Sequence, residues 1–133
     1  VDEYDQGVRN IFNYGHSFGH AIESATKFEI PHGVAVTIGM DMANRISAWR
    51  GSLPEGHYTR MHKVLRKNYK DYLGVHIPLK LLISALKKDK KNTVENLMLI
   101  LPISDQASVE KVAVKADEIF GSQCKRYLDE IFI

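Results

Sequence analysis

The sequence predicts a mainly helical domain with one small β-hairpin. Apolar residues recur at helical spacing through most of the chain. Proline and glycine stand where these periodic segments begin and end. A single short apolar run, 96–102, is bounded by turn residues and indicates a buried strand. With 133 residues, 44% of them hydrophobic and 26% charged, the chain has the size and composition of one globular domain.

The first two predicted helices lie in the N-terminal third. The first covers 13–23 and follows an approach segment of about a dozen residues. The second runs from His32 to about Arg50, and Gly51 ends it. Small residues along the second helix predict close packing against a neighbour; they are Ala35, Gly39 and Ala43.

Two further helices are predicted in the middle of the chain. The segment 52–55 is typical of a helix start, with Ser52 as the cap and a proline in the first turn. This helix runs to about Leu73. Pro78 begins the next one, which ends in a lysine-rich run at 87–91.

The C-terminal part predicts the hairpin and a last helix. The strand 96–102 pairs with a second strand at 107–114, and a helix is expected from Ala113 onward. The predicted buried side of that helix consists of Ile119, Phe120, Cys124, Tyr127 and Leu128.

Several protein classes are excluded by these patterns. The longest apolar runs are about five residues, against the ~20 that a membrane span needs. The first residues are acidic, unlike a signal peptide. The single cysteine, Cys124, rules out an internal disulfide and is expected to be a packed small side chain. We therefore expect a cytoplasmic protein with no membrane partner.

The net charge of +2 is unevenly distributed. The segment from Arg60 to Lys91, here called the basic stripe, contains ten basic residues and only two acidic ones. Such a stripe could bind phosphates, nucleic acid or an acidic partner, but a solvated helix surface is the favoured interpretation. The stripe has few interleaved aromatic residues and no nucleic-acid motif, so we expect no nucleic-acid partner.

Three of the six histidines, His16, His20 and His32, fall within seventeen residues. His16, His20 and Glu23 are spaced i, i+4 and i+7, which places them on one helix face. Imidazoles are good zinc ligands, and the spacing alone favours His16 and His20 as a pair. Histidines that cap helices or bond within the core are the competing interpretation.

Glycines flank these histidines. Gly15 and Gly19 each precede one, and Gly33 follows His32. A glycine inside a helix costs ~1 kcal/mol relative to alanine, so Gly19 indicates close approach of a backbone or a ligand. The pattern is difficult to explain as packing alone, and it favours a functional site.

The histidines belong to an ordered set of motifs along the chain. The set consists of Asp2-Glu3, Gly7, Arg9, the run from Asn13 to Glu23, the run from His32 to Met40, and Asp89-Lys90-Lys91. Taken in order, these motifs resemble the 3-dehydroquinate synthase family and, more broadly, the sugar phosphate cyclases. The resemblance spans nearly the whole chain and matches the C-terminal part of the family.

The resemblance implies roles for individual residues. His16 and His32 match the metal-binding histidines, and the third ligand is a glutamate upstream of this chain. His20 matches a catalytic residue that contacts the departing phosphate and assists proton movement. Arg9 and Asn13 match substrate contacts, Arg9 through a fork to a carboxylate.

The remaining site residues lie near the ends of the matched region. Lys90 or Lys91 matches a substrate-phosphate contact, and spacing does not decide which. Asp5 stands where the family usually has a catalytic glutamate for proton abstraction. Val34 replaces the glutamate that commonly follows His-Gly. The two departures leave open a paralogue that acts on another sugar phosphate.

The resemblance also implies a reaction and its cofactors. The family converts 3-deoxy-arabino-heptulosonate 7-phosphate to 3-dehydroquinate and phosphate in the shikimate pathway of aromatic amino acid biosynthesis. This carbon–oxygen lyase uses Zn²⁺ or Co²⁺ together with transient oxidation by NAD. Residues 1–133 are then a helical metal- and substrate-binding domain. An N-terminal NAD-binding domain lies outside this chain, and the full-length enzyme is expected to be a homodimer.

Two other function classes remain open. One is a metal-dependent polyol dehydrogenase of the related iron-containing alcohol dehydrogenase group. The other is a nucleic-acid-binding module that uses the basic stripe. His57, His62 and His76 are expected at the surface or in packing, and Met40, Met42 and Trp49 in the core.

Overall fold

The computed structural model describes residues 15–88, 96–103, 108–115 and 118–132. These contain five α-helices, one short 3₁₀-helix and two strands, which confirms the mainly helical class. No helix in this part of the chain is long and apolar enough to cross a membrane. The α-helices are α1 (His16–Ala25), α2 (His32–Trp49), α3 (Glu55–Tyr69), α4 (Leu79–Lys87) and α5 (Glu118–Ile131), and the 3₁₀-helix (Lys70–Tyr72) follows α3 directly.

Prolines begin three of these helices. Pro31, Pro54 and Pro78 occupy the N-cap positions of α2, α3 and α4, each with an extended backbone. Proline has no backbone N–H to donate. At the start of a helix this removes no hydrogen bond, because the N–H groups of the first turn have no acceptor within the helix. Ser52 is therefore not the cap of α3 as predicted, and no side chain caps this helix.

The end of α2 requires a glycine. Gly51 follows the C-cap residue Arg50 and has φ of +79°, in the left-handed region that costs residues with a Cβ extra energy. Its N–H donates to the carbonyl of Ala48 at 3.0 Å. The predicted stop at Gly51 is confirmed.

Two strands, β1 (Asn96–Ile103) and β2 (Ser108–Lys115), form a two-stranded antiparallel sheet. Asn96 is paired with Lys115 and Ile103 with Ser108. The expectation that the last helix starts at Ala113 was wrong, because Ala113 is paired with Met98 inside the sheet. Valines alternate through this end of β2, and β-branched residues favour strands over helices.

The core lies where α1, α2 and α4 meet, with α3 packed on α2 and α5 closing one side. Its largest fully buried members include Phe18, Ile22, Ile38, Met42, Ile46, Leu82, Leu86, Phe120 and Tyr127. On α5 the predicted buried side is confirmed at four positions, but Ile119 is 70% exposed. As predicted, Met42 is buried, and Met40 and Trp49 pack against the core.

A buried polar cluster joins three of the helices. Asp41 of α2 is fully buried, and its Oδ2 accepts hydrogen bonds from the hydroxyls of Tyr69 and Tyr127, each at 2.8 Å. The Nδ1 of His62 lies 3.0 Å from both carboxyl oxygens. Burial, together with the Asp41 charge, raises the pKa of Tyr69 and of Tyr127. The cluster fixes α3 and α5 against the middle of α2.

Candidate metal centre

Glycines set the distance between α1 and α2. A Cβ placed on Gly39 would lie 2.7 Å from the backbone nitrogen of Gly19, and it would also overlap the carbonyl oxygen of Gly15. A Cβ on Gly15 would lie 2.8 Å from the carbonyl oxygen of Val36. The close approach predicted at Gly19 is therefore an approach of backbone to backbone.

This packing corrects one step of the sequence argument. The helices α1 and α2 touch at Gly15 and Gly19, so helix packing alone accounts for these two glycines. A Cβ on Gly33 would meet nothing within 4 Å, so Gly33 plays no part in the contact. The glycines support the site indirectly, by bringing the helix that carries two of the histidines against the helix that begins with the third.

The three histidines form a nearly equilateral triangle. The ring centroids are 5.9 Å apart for His16 and His20, 5.9 Å for His16 and His32, and 6.0 Å for His20 and His32. His16 and His20 are one turn apart on α1, and His32 is the first residue of α2. His16 is half-buried, whereas His20 and His32 are exposed. The structure thus brings together all three of these predicted site residues.

A tight turn between α1 and α2 brings His32 close to His16 and His20. Lys27 and Phe28 have φ of 51° and 64°, values that residues with a side chain adopt only at a cost. The N–H of Phe28 donates to the carbonyl of Glu23 at 2.8 Å, and the hydroxyl of Thr26 donates to the carbonyl of Ile22 at 2.8 Å. These bonds satisfy carbonyls at the end of α1 and hold His32 above it.

Glu23 is a fourth member of the site. Its Oε1 lies 2.6 Å from the Nδ1 of His32. The side chain of Glu23 is 12% exposed and that of His32 is 59% exposed, so the contact runs from a mostly buried carboxyl group to a solvent-facing ring. Sequence reasoning placed Glu23 on the face of His16 and His20 but assigned it no role.

The donor atoms are suited to a divalent transition metal. One ligand atom from each of His20, Glu23 and His32 lies within 4.8 Å of the other two. His16 is not part of this group, although its ring centroid lies 5.9 Å from that of His32. Imidazole nitrogen and carboxylate oxygen are the ligands that Zn²⁺ and Co²⁺ take in catalytic sites. The three residues therefore fit such an ion, and His32 is the one among them that the resemblance also implies as a metal ligand.

Five predicted site residues lie outside the described residues, and nothing in the structure tests them. These residues, proposed for catalysis or substrate contact, are Asp5, Arg9, Asn13, Lys90 and Lys91. The roles of His16, His20 and His32 also stay predictions, since closeness alone assigns no function.

The other histidines and the cysteine behave as expected. His62 belongs to the Asp41 cluster and stacks on Tyr58 at 5.4 Å between ring centroids. His57 is half-buried and His76 is exposed. Cys124 is buried, and burial raises its pKa to about 12, which suits a packed side chain and not a nucleophile. The eight basic residues of the stripe that the structure describes are all exposed, as expected for a solvated surface.

Residues 1–92 match the family model for the C-terminal domain of 3-dehydroquinate synthase. The chain belongs to this family. The 3-dehydroquinate synthase of Alkaliphilus metalliredigens is 35% identical over 119 residues, which cover 89% of this chain and 33% of that protein. The 3-dehydroquinate synthase of Sulfolobus acidocaldarius is 36% identical over 133 residues and is covered to 35%.

Solved structures of sugar phosphate cyclases share the fold. A crystal structure of 2-deoxy-scyllo-inosose synthase complexed with carbaglucose-6-phosphate, NAD⁺ and Co²⁺ superposes with a TM-score of 0.69 at 26% identity, covering 91% of this chain and 35% of that one. The chain spans about a third of the length of the curated relatives it matches. The family model and the shared fold thus agree that the chain corresponds to the C-terminal domain of this family.

Proposed function

We propose that this chain is the metal- and substrate-binding part of an enzyme that converts 3-deoxy-arabino-heptulosonate 7-phosphate to 3-dehydroquinate and phosphate. The observation that carries the proposal is the triangle of His16, His20 and His32, about 6 Å on each side, in a chain of this family. Two of the three imidazoles, those of His20 and His32, are exposed and therefore open to a ligand. NAD binds mainly to a domain outside this chain.

His16 and His32 are the proposed metal ligands of this chain, with a carboxylate from the rest of the protein as the third. When bound, Zn²⁺ or Co²⁺ would polarise the substrate oxygens at which negative charge develops. The two imidazoles come from different helices, so the α1–α2 contact sets the distance between them. Co²⁺ in the related 2-deoxy-scyllo-inosose synthase supports the choice of metals.

His20 is the proposed proton-transfer residue. Its ring is exposed and lies 5.9–6.0 Å from the other two imidazole centroids, so a substrate that reaches the metal also comes within reach of His20. An imidazole there can donate a hydrogen bond to a phosphate oxygen and act as a general acid or base toward the substrate. Lys90 or Lys91 would share the phosphate, and Arg9 and Asn13 would hold the rest of the substrate. Asp5 would take part in proton abstraction.

A second candidate is a cyclase for another sugar phosphate. The relationship to 2-deoxy-scyllo-inosose synthase, crystallised with a hexose-phosphate analogue, favours keeping this candidate. Asp5 and Val34 depart from the family pattern, and both departures favour this second candidate. Arg9 supports the first candidate, because a guanidinium fork recognises the carboxylate that the seven-carbon substrate carries and a hexose phosphate lacks.

The test is phosphate release by the full-length protein that contains this chain, supplied with NAD and Zn²⁺. Release from the heptulosonate phosphate without net NADH supports the first candidate, release from glucose 6-phosphate alone supports the second, and net NADH would indicate a polyol dehydrogenase. His16→Ala should abolish both turnover and bound metal. His57→Ala is the matched control, because this half-buried histidine of α3 lies outside the triangle, and it should keep both. Full activity of His16→Ala would overturn the proposal.

The chain by itself is proposed to be inactive. One metal ligand and the NAD site belong to other parts of the enzyme, so the isolated 133 residues should bind Zn²⁺ weakly and release no phosphate. Measurable synthase activity of the isolated chain would contradict this. We further propose that the full-length enzyme is a cytoplasmic homodimer.

A further inference from the structure

Glu23 makes a short side-chain contact with His32, one of the three histidines of the triangle. Its Nδ1–Oε1 distance of 2.6 Å is at the short end for a nitrogen donor and a carboxylate oxygen. Glu23 lies on α1 and His32 on α2, so the contact joins the two helices next to the proposed metal position. Because His32 faces solvent, its pairing with Glu23 adds little to the stability of the fold. The chemistry of the imidazole points to another role for this pair.

The contact has a chemical consequence for the imidazole. A neutral imidazole carries one proton, and the nitrogen that donates it to an acceptor cannot at the same time bind a metal. With Glu23 accepting at Nδ1, the proton stays on Nδ1 and the lone pair is on Nε2. Nε2 is then the atom of His32 that is available to an ion, and the ring cannot turn without breaking the contact.

We propose that Glu23 is the positioning residue of the metal site, fixing the tautomer and orientation of His32 so that Nε2 faces the ion. The inference rests on the proposed role of His32 as a metal ligand. Carboxylates that hold metal-bound histidines in this way change metal affinity about 10–100-fold when they are removed. Glu23 therefore acts through His32 and does not touch the substrate.

The end of α1 holds Glu23 in place for this task. Its carbonyl accepts the N–H of Phe28 at 2.8 Å, which ties its backbone to the turn that leads to His32. The side chain is only 12% exposed, so few other orientations are open to it. The competing interpretation is that Glu23 is itself a metal ligand, since its carboxyl oxygen also lies within 4.8 Å of donor atoms of His20 and His32.

The first experiment needs no metal. The full-length, metal-free protein is labelled with ¹⁵N-histidine, and the tautomer of His32 is read from its ring nitrogen shifts in alkaline buffer, where imidazoles are neutral. The signal is assigned by its loss in His32→Gln. We expect the Nδ1–H tautomer in the wild type and in Glu23→Gln, whose amide oxygen still accepts, and a shift to mainly Nε2–H in Glu23→Ala.

Glu29→Ala is the matched control, because Glu29 is an exposed glutamate in the same turn, and it should leave the tautomer unchanged. An Nε2–H tautomer in the wild type, or an Nδ1–H tautomer retained in Glu23→Ala, would overturn the inference.

The second experiment measures Co²⁺ affinity and the visible Co²⁺ spectrum of the same proteins. Glu23→Ala should lose about 10–100-fold in affinity, while Glu23→Gln and Glu29→Ala should stay close to the wild type with an unchanged spectrum. A changed spectrum in Glu23→Gln would mean that Glu23 is a ligand, which overturns its positioning role. Equal affinity of wild type and Glu23→Ala overturns the inference alone. A wild type that binds no Co²⁺ overturns the proposed function instead.

Discussion

Replacing Gly39 by alanine tests whether backbone contact between α1 and α2 builds the site. The new Cβ would lie 2.7 Å from the Gly19 nitrogen, whereas ordinary contacts begin at 3.4 Å, so the helices must separate by at least about 0.7 Å, and by more to clear the Gly15 carbonyl oxygen. Overpacking of a core costs about 1–3 kcal/mol, and the upper part of that range applies because both obstacles are backbone atoms. The better helix propensity of alanine returns ~1 kcal/mol. The free energy of unfolding should therefore fall by about 2 kcal/mol.

Urea unfolding followed by circular dichroism measures this change. With a slope of about 2 kcal/mol per molar urea, the midpoint of Gly39→Ala should fall by about 1 M. Gly33→Ala is the matched control on the same helix, because a Cβ there meets nothing within 4 Å. It should leave the midpoint unchanged or raise it slightly. If Gly39→Ala unfolds at the same urea concentration as Gly33→Ala, the packing argument is wrong.

Two other predictions follow from buried groups. Asp41→Ala removes the acceptor of the Tyr69 and Tyr127 hydroxyls and should lower the free energy of unfolding by about 2–6 kcal/mol, measured by urea unfolding. Lys125→Ala, which breaks an exposed ion pair on α5, should change it by less than about 1 kcal/mol, and an equal effect of both variants would refute the role of Asp41. The pKa of Cys124 is raised to about 12 from 9.0, so the unfolded state loses that proton first as pH rises. Stability should then decline above about pH 9, less steeply in Cys124→Ala, and identical slopes would contradict the raised pKa.

Much of the fold follows from patterns along the chain. Proline positions and Gly51 mark helix ends because each limits the backbone locally. The start of α5 was placed wrongly because residues 113–115 belong to β2, and pairing with a distant segment decided their conformation. Ile119 was placed on the buried side by its spacing, yet it is 70% exposed, since helical period alone does not say how wide the covered face is.

In the site, too, local patterns predicted some features, and contacts between distant segments decided the others. The i, i+4 spacing placed His16 and His20 together, because one helix determines their distance. The arrival of His32 beside them depends on the contact of Gly39 with Gly15 and Gly19, which no local pattern specifies. Glu23 was placed on the correct face from its spacing, but its contact with His32 across the turn was visible only in three dimensions.

The central claim is that the α1–α2 contact assembles a site for a divalent metal. Crystals of the full-length protein grown with Co²⁺, measured at the cobalt absorption edge, test it most directly. We predict an anomalous peak about 2.1 Å from the Nε2 atoms of His16 and His32, with Glu23 still on the Nδ1 of His32. No peak between these imidazoles, in a protein that unfolds cooperatively and retains the triangle, would contradict the account.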